Sequence, residues 1–188
     1  MSYQKHHTDA FVLRVYCAGD ADVDCILLTP EDGVVRARAQ SARTLRSRHR
    51  YALHEYAHCH VSLVRGRAVW RITNVSPRAN MLRGLSSDAR VATARLSRLV
   101  LRLVTGEEHI QDLFDIVMRG ITLFRTEDRR TVEAITVARI LHALGYFVHT
   151  GPYRDVMGAD DTRALSSASR LSSILVRDIN DALVASQL

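Results

Sequence analysis

Lysine is almost missing from this 188-residue sequence: Lys5 is the only one, and every other cationic side chain is arginine. Cysteine is scarce as well. Cys17, Cys25 and Cys59 form no C-x-x-C pair, and their odd number and wide spacing fit reduced, mostly buried thiols of a cytoplasmic protein better than a zinc ribbon or a disulfide framework. No apolar run approaches the roughly 18 residues that span a bilayer. The opening MSYQKHHTDA has no apolar signal core, so neither export nor membrane insertion is expected. The glycine patterns of nucleotide-binding turns, G-x-G-x-x-G and the P-loop, are absent, as is the G-x-S-x-G nucleophile elbow.

What the chain has instead is arginine in one place. Residues 1–87 hold 13 basic side chains against 7 acidic ones, while residues 88–188 hold 13 of each, so the whole net charge of +6 belongs to the N-terminal half. Between Gly33 and Arg71 there are nine arginines and one acid, Glu55. A field this lopsided attracts polyanions, and nucleic acid is the commonest of these in a cytoplasm.

The two halves also differ in period. From Thr8 to Pro77 apolar residues alternate: Phe11, Leu13, Val15; Val23, Cys25, Leu27; Val35, Ala37, Ala39; Cys59, Val61, Leu63; Trp70, Ile72. Turns at Ala18-Gly19-Asp20, Pro30 to Gly33 and Arg65-Gly66-Arg67 separate them, and one long connection covers residues 40–56. Five short strands over about 70 residues suit a small antiparallel barrel of the OB type. Beyond Gly84 the period becomes helical. One helix follows a Ser86-Ser87-Asp88 cap and ends at Gly106. A second starts at Glu107, Glu108 and Asp112, whose charges offset the helix dipole. A third runs from Thr126 to Leu144, stopped by Gly145. Residues 145–160 read as a loop, and a last helix covers Thr162 to Ala185. The expected class is therefore α+β: an OB-fold barrel over residues 1–80, then an all-α bundle over 81–188.

One motif argues for an enzyme. His54-Glu55-Tyr56-Ala57-His58 matches H-E-x-x-H, by which zinc proteases hold a metal and a general base on one helical turn. Here His58-Cys59-His60-Val61-Ser62-Leu63 alternates like a strand, which leaves His54 on the loop before it. The positions where a third ligand is needed hold Val61 and Val64. The motif is read as coincidental, with no metal, no cofactor and no catalytic residue expected. Asp20, Asp22 and Asp24 are read as the solvent face of a strand start.

The order of the parts resembles the bacterial recombination mediator family RecO. TDAFVLRVY matches its opening strand, GDADVDCILLTPEDG its acidic turn and second strand, and GVVRARAQSARTLRSR a strand leading into a basic stretch. ALHEYAHCHVSLVRGRAVWRITNV completes the barrel. RLSRLVLRLVTGEEHIQDLFDIV and ARILHALGY are similar to the family's helix pair and its L-G-Y helix end, so the resemblance spans residues 8–147. Many members follow that L-G-Y with a four-cysteine zinc site, whereas GYFVHTGPYRDV has no cysteine. The resemblance implies a non-enzymatic, cytoplasmic and nucleoid-associated DNA-repair protein. Such a protein binds single- and double-stranded DNA, promotes annealing, and works with a RecR-like protein and single-stranded-DNA-binding protein to load the recombinase.

The residues themselves support the binding part. Alternation turns Arg36 and Arg38 outward on the third strand. Arg43, Arg46, Arg48 and Arg50 occupy the long connection, and Arg65 and Arg67 flank Gly66. Guanidinium groups pair with phosphate bidentately, and an OB barrel offers a track for a flexible strand. Tyr51 is the candidate for stacking on a base. Trp70 shares the Ile72 face and is assigned to the core. The rival from another class is an OB-based RNA-binding or protein-adaptor module.

Overall fold

Strand-like alternation broken by short turns becomes five strands in the computed structural model, which describes residues 5–44, 47–147 and 151–185. They are β1 (Lys5–Ala18), β2 (Asp22–Thr29), β3 (Gly33–Ala39), β4 (Ala57–Val64) and β5 (Trp70–Asn80). They close a barrel in the order β1-β2-β3-β5-β4, antiparallel throughout except for a short parallel pairing of β3 with β5. That is the OB-fold arrangement. The chain divides into two compact units, Met1–Arg83 with Val104–His109, and Gly84–Leu103 with Ile110–Leu188.

The barrel interior collects the alternating residues of β2 to β5: Val23, Cys25 and Leu27, then Val35, Ala37 and Ala39, then Cys59, Val61 and Leu63, then Trp70 and Ile72. β1 departs from expectation. Its interior residues are Ala10 and Val12, with Val15 packed against the same cluster, rather than Phe11 and Leu13. A register shift between Val12 and Arg14 is the reason, because one extra residue in a strand moves the alternation to the other face. Phe11 and Leu13 are buried all the same, and the Phe11 ring lies 6.4 Å from that of Tyr56.

The second unit contains α1 (Ser87–Leu103), α2 (Leu113–Leu123), α3 (Arg129–Ala143), α4 (Arg154–Met157), α5 (Asp161–Arg170) and α6 (Ser172–Ala185). α3 packs against all five of the others and is buried around much of its circumference, through Val132, Ile135, Thr136, Ala138, Ile140 and Leu141. Asp128 caps its start, accepting from the Thr131 N–H at 2.9 Å. Gly145, at φ 78°, ends it in a Schellman turn, with Gly145 N–H bonded to the His142 carbonyl and Tyr146 N–H to that of Leu141.

Three expectations are corrected here. The second helix starts at Leu113 rather than Glu107, because Val104–His109 belong to the barrel unit. The expected loop at 145–160 carries a 3-10 turn, Gly151–Tyr153, and the single-turn α4. Arg139 holds that segment by donating to the carbonyls of Val156 (2.9 Å) and Gly158 (2.6 Å) and to Asp161 (3.1 Å). The last helix is two, broken at Leu171 inside the serine-rich stretch. Within that stretch Ser167 Oγ donates to the Asp155 carboxylate, while Ser166 Oγ donates to the Thr162 carbonyl one turn back. Among the described residues, no helix is long and apolar enough to cross a membrane.

Candidate nucleic-acid interface

β3 is short and small inside, so its outward residues lie close over the barrel wall. Arg36 is exposed and Arg38 half-buried, as alternation requires, while Val35, Ala37 and Ala39 face in. The parallel pairing then sets Arg38 beside Arg71 of β5, one inter-strand spacing of about 4.8 Å away. Arg71 is exposed on the outer face, between the buried Trp70 and Ile72. Arg67 is exposed in the turn that leads into β5. Gly66 has to be glycine there, since a Cβ would collide with the Val69 carbonyl oxygen. Arg36, Arg38 and Arg71 thus lie on the outer face of the β3–β5 pairing, and Arg67 lies in the turn that leads into it. Sequence reasoning found three of the four. Arg71 was missed because nothing local announces which strand β5 lies beside.

Not all of this charge is available. Arg38 donates from Nε and Nη2 to the two carboxylate oxygens of Asp24, at 2.6 and 2.8 Å. That hydrogen bond, ahead of the opposing effect of burial, holds the Asp24 carboxyl below its ordinary range. Asp22 accepts from the Ser41 N–H at 2.9 Å. Two of the three aspartates read as a free solvent face are therefore engaged. Arg43 reaches the Gly19 carbonyl at 3.1 Å and folds the long connection onto the β1–β2 turn. Arg46 lies outside the described residues. Arg48 and Arg50 fall on a 3-10 turn, Arg48–Tyr51, and their side chains lie outside what is described. Tyr51 ends that turn, 77% exposed, a geometry open to stacking. Among the described residues, Arg36, Arg67 and Arg71 form no ion pair.

Arg65 is committed elsewhere. Its Nη1 lies 2.9 Å from Glu107 Oε2, and its guanidinium carbon sits 5.1 Å from the centre of the Trp70 ring. The Trp70 indole N–H donates to the other oxygen of Glu107 at 2.9 Å. Trp70 is in the core, as expected, with its one polar atom satisfied by a segment assigned from sequence to a helix start.

The histidine motif is divided between two kinds of structure. His54 and Glu55 lie in the turn before β4, Glu55 accepting from the Val15 N–H at 3.4 Å and lying 3.7 Å from Arg14. His58 and His60 sit on β4 and gather about Asp9 of β1, at 3.8 and 2.8 Å. Burial lowers the His58 pKa, and Asp9 opposes that shift. Two histidines placed so cannot share a metal in the manner of a helical H-E-x-x-H.

Residues 1–81 match the family described as recombination protein O N terminal, a span ending one residue past β5. This match supports a RecO family protein. The match coincides with the barrel and covers less than half of the chain. It includes every arginine of the wall described above.

Proposed function

We propose that this RecO-type chain binds DNA without catalytic chemistry, through Arg36, Arg38, Arg67 and Arg71 on the β3–β5 wall, with Arg43 and Tyr51 at its margin. Holding strands on that wall would serve annealing and recombinase loading, in company with a RecR-like protein and single-stranded-DNA-binding protein. The observation that carries the reading is the parallel β3–β5 pairing, which sets arginines from positions 36, 38 and 71 side by side on a barrel whose family acts in DNA repair. Arginine suits the task because its planar fork meets phosphate oxygens two at a time and also stacks on bases. Contacts of this kind position a strand without reading its sequence.

The test is binding of a labelled oligo-dT across a salt series. Wild type is compared with R36A/R38A/R67A/R71A and, separately, with R43A/R46A/R48A/R50A. Each phosphate contact to a single strand contributes a slope of about 0.7 in log affinity against log salt. The wall variant should flatten that slope by about two to three units. A wall variant that binds like wild type sinks the proposal. Tighter binding to RNA of equal length, persisting at high salt, would replace it with the RNA-binding alternative.

A further inference from the structure

We propose that Arg65 and the indole N–H of Trp70 form a phosphate subsite of the barrel, and that the carboxylate of Glu107 occupies it as an internal competitor. The proposal rests on the DNA-binding reading and adds a regulated position to it.

The geometry is that of an anion held by two donors. Glu107 Oε1 accepts from Trp70 Nε1 at 2.9 Å, and Oε2 lies 2.9 Å from Arg65 Nη1. A carboxylate and a phosphodiester present the same feature to such donors: two oxygens sharing a negative charge. The position also fits. Arg65 leaves β4 and Trp70 opens β5, so both lie at the turn that carries Arg67, with Arg71 next in sequence. In OB folds this turn and the face of β2 and β3 are where oligonucleotides lie.

Glu107 can leave without its segment leaving. The backbone on either side is pinned independently: His109 Nδ1 lies 3.1 Å from the Glu31 carbonyl oxygen, and a Cβ at Gly33 would collide with the Glu108 carbonyl. Val104 is buried. The Arg65 side chain, in contrast, is 71% exposed, and ion pairs so exposed exchange partners readily. A strand arriving on the wall would present a phosphate to Arg65 while the Glu107 side chain rotates into water. The bond count at Arg65 is unchanged, and the carboxylate is freed to solvent. Affinity for DNA is lowered by the competition, and any partner that draws Glu107 away would raise it.

Glu107→Gln tests this directly, since the amide oxygen still accepts from Trp70 while the charge that competes for Arg65 is gone. Removing a competing ion pair as exposed as this one is worth up to about fivefold in affinity. E107Q should show that gain, and E107Q/R65A should lose it. A second measurement needs no variant. Trp70 is the only tryptophan in the chain, so its emission should change as oligo-dT saturates the wild-type protein. E107Q affinity equal to wild type, or Trp70 emission blind to bound DNA, overturns the subsite. If either happens while R36A/R38A/R67A/R71A still weakens binding, the subsite alone falls. If that variant too is without effect, the DNA-binding reading falls with it.

Discussion

Arg38 and Asp24 face each other across paired positions of β3 and β2, joined by two parallel hydrogen bonds of 2.6 and 2.8 Å. Arg38 is therefore the wall arginine whose charge is most fully matched. Asp24→Asn keeps the side chain's shape and removes its charge. Oligo-dT affinity should rise by up to about fivefold at about 0.1 M salt, the worth of one phosphate contact that no longer competes with Asp24 for Arg38. Asp22→Asn, where the carboxylate serves a backbone N–H, should leave the salt slope unchanged. Equal effects from the two would mean that net charge, rather than release of Arg38, governs binding.

The thiols divide by burial. Cys25 and Cys59 line the barrel interior, and burial, the largest influence on each, pushes their pKa up to about 12. At pH 8 both stay protonated and shielded, whereas Cys17 is exposed at the end of β1. A colorimetric thiol reagent should modify one cysteine in the native protein and all three after denaturation. Two fast-reacting thiols in the native state would contradict the closed barrel.

Three of the four wall arginines were legible in the sequence, and the fourth was hidden for one reason. Period-two alternation is local, so it turned Arg36 and Arg38 outward without any knowledge of neighbours. Arg71 alternates just as clearly, but its place beside Arg38 depends on a pairing between strands more than 30 residues apart. Glu107 misled for the complementary reason. Acids ahead of an apolar run are what a helix start prefers, and the contact that overrides this preference lies in Trp70 and Arg65, far back in the chain. The β1 bulge hid in the same way. Four apolar residues from Ala10 to Leu13 fit either face, and only the register with β2 decides which of them enters the core. At Leu171 the helical spacing continues, so nothing local marked the break between α5 and α6.

Asp128 offers a pH-dependent test of the bundle. Its Oδ2 accepts from both the backbone N–H and the hydroxyl of Thr131, each at 2.9 Å, and the backbone bond is the main cause of its lowered pKa. A carboxyl depressed on folding stabilises the protein above its unfolded pKa of about 3.9 and loses that contribution as pH falls through the folded value. Asp128→Ala should cost about 1 kcal/mol at pH 7, the usual worth of an N-cap. The difference from wild type in urea unfolding should shrink as the pH falls below about 4. A gap that stays constant down to pH 2 would assign the loss to helix propensity instead.

Gly120 lies in the interior of α2, where alanine would ordinarily favour the helix by up to about 1 kcal/mol. Packing against α3 reverses that sign. A Cβ at Gly120 would come within 2.6 Å of Thr136 Cγ2, closer still to Thr136 Oγ1, and within 3.1 Å of Thr136 Cβ. Thr136 cannot easily turn away, because its hydroxyl donates to the Val132 carbonyl at 2.7 Å in a buried setting. Gly120→Ala should therefore destabilise by roughly 1–3 kcal/mol, the range for overpacking a filled core. Thr136→Ala removes the atoms that collide, so G120A/T136A should be more stable than the sum of the single changes predicts, by a coupling of at least about 0.5 kcal/mol. Additive losses in urea midpoints would show that α2 and α3 separate to admit the methyl group. The close approach of these two helices would then be a convenience of glycine rather than a requirement of the fold.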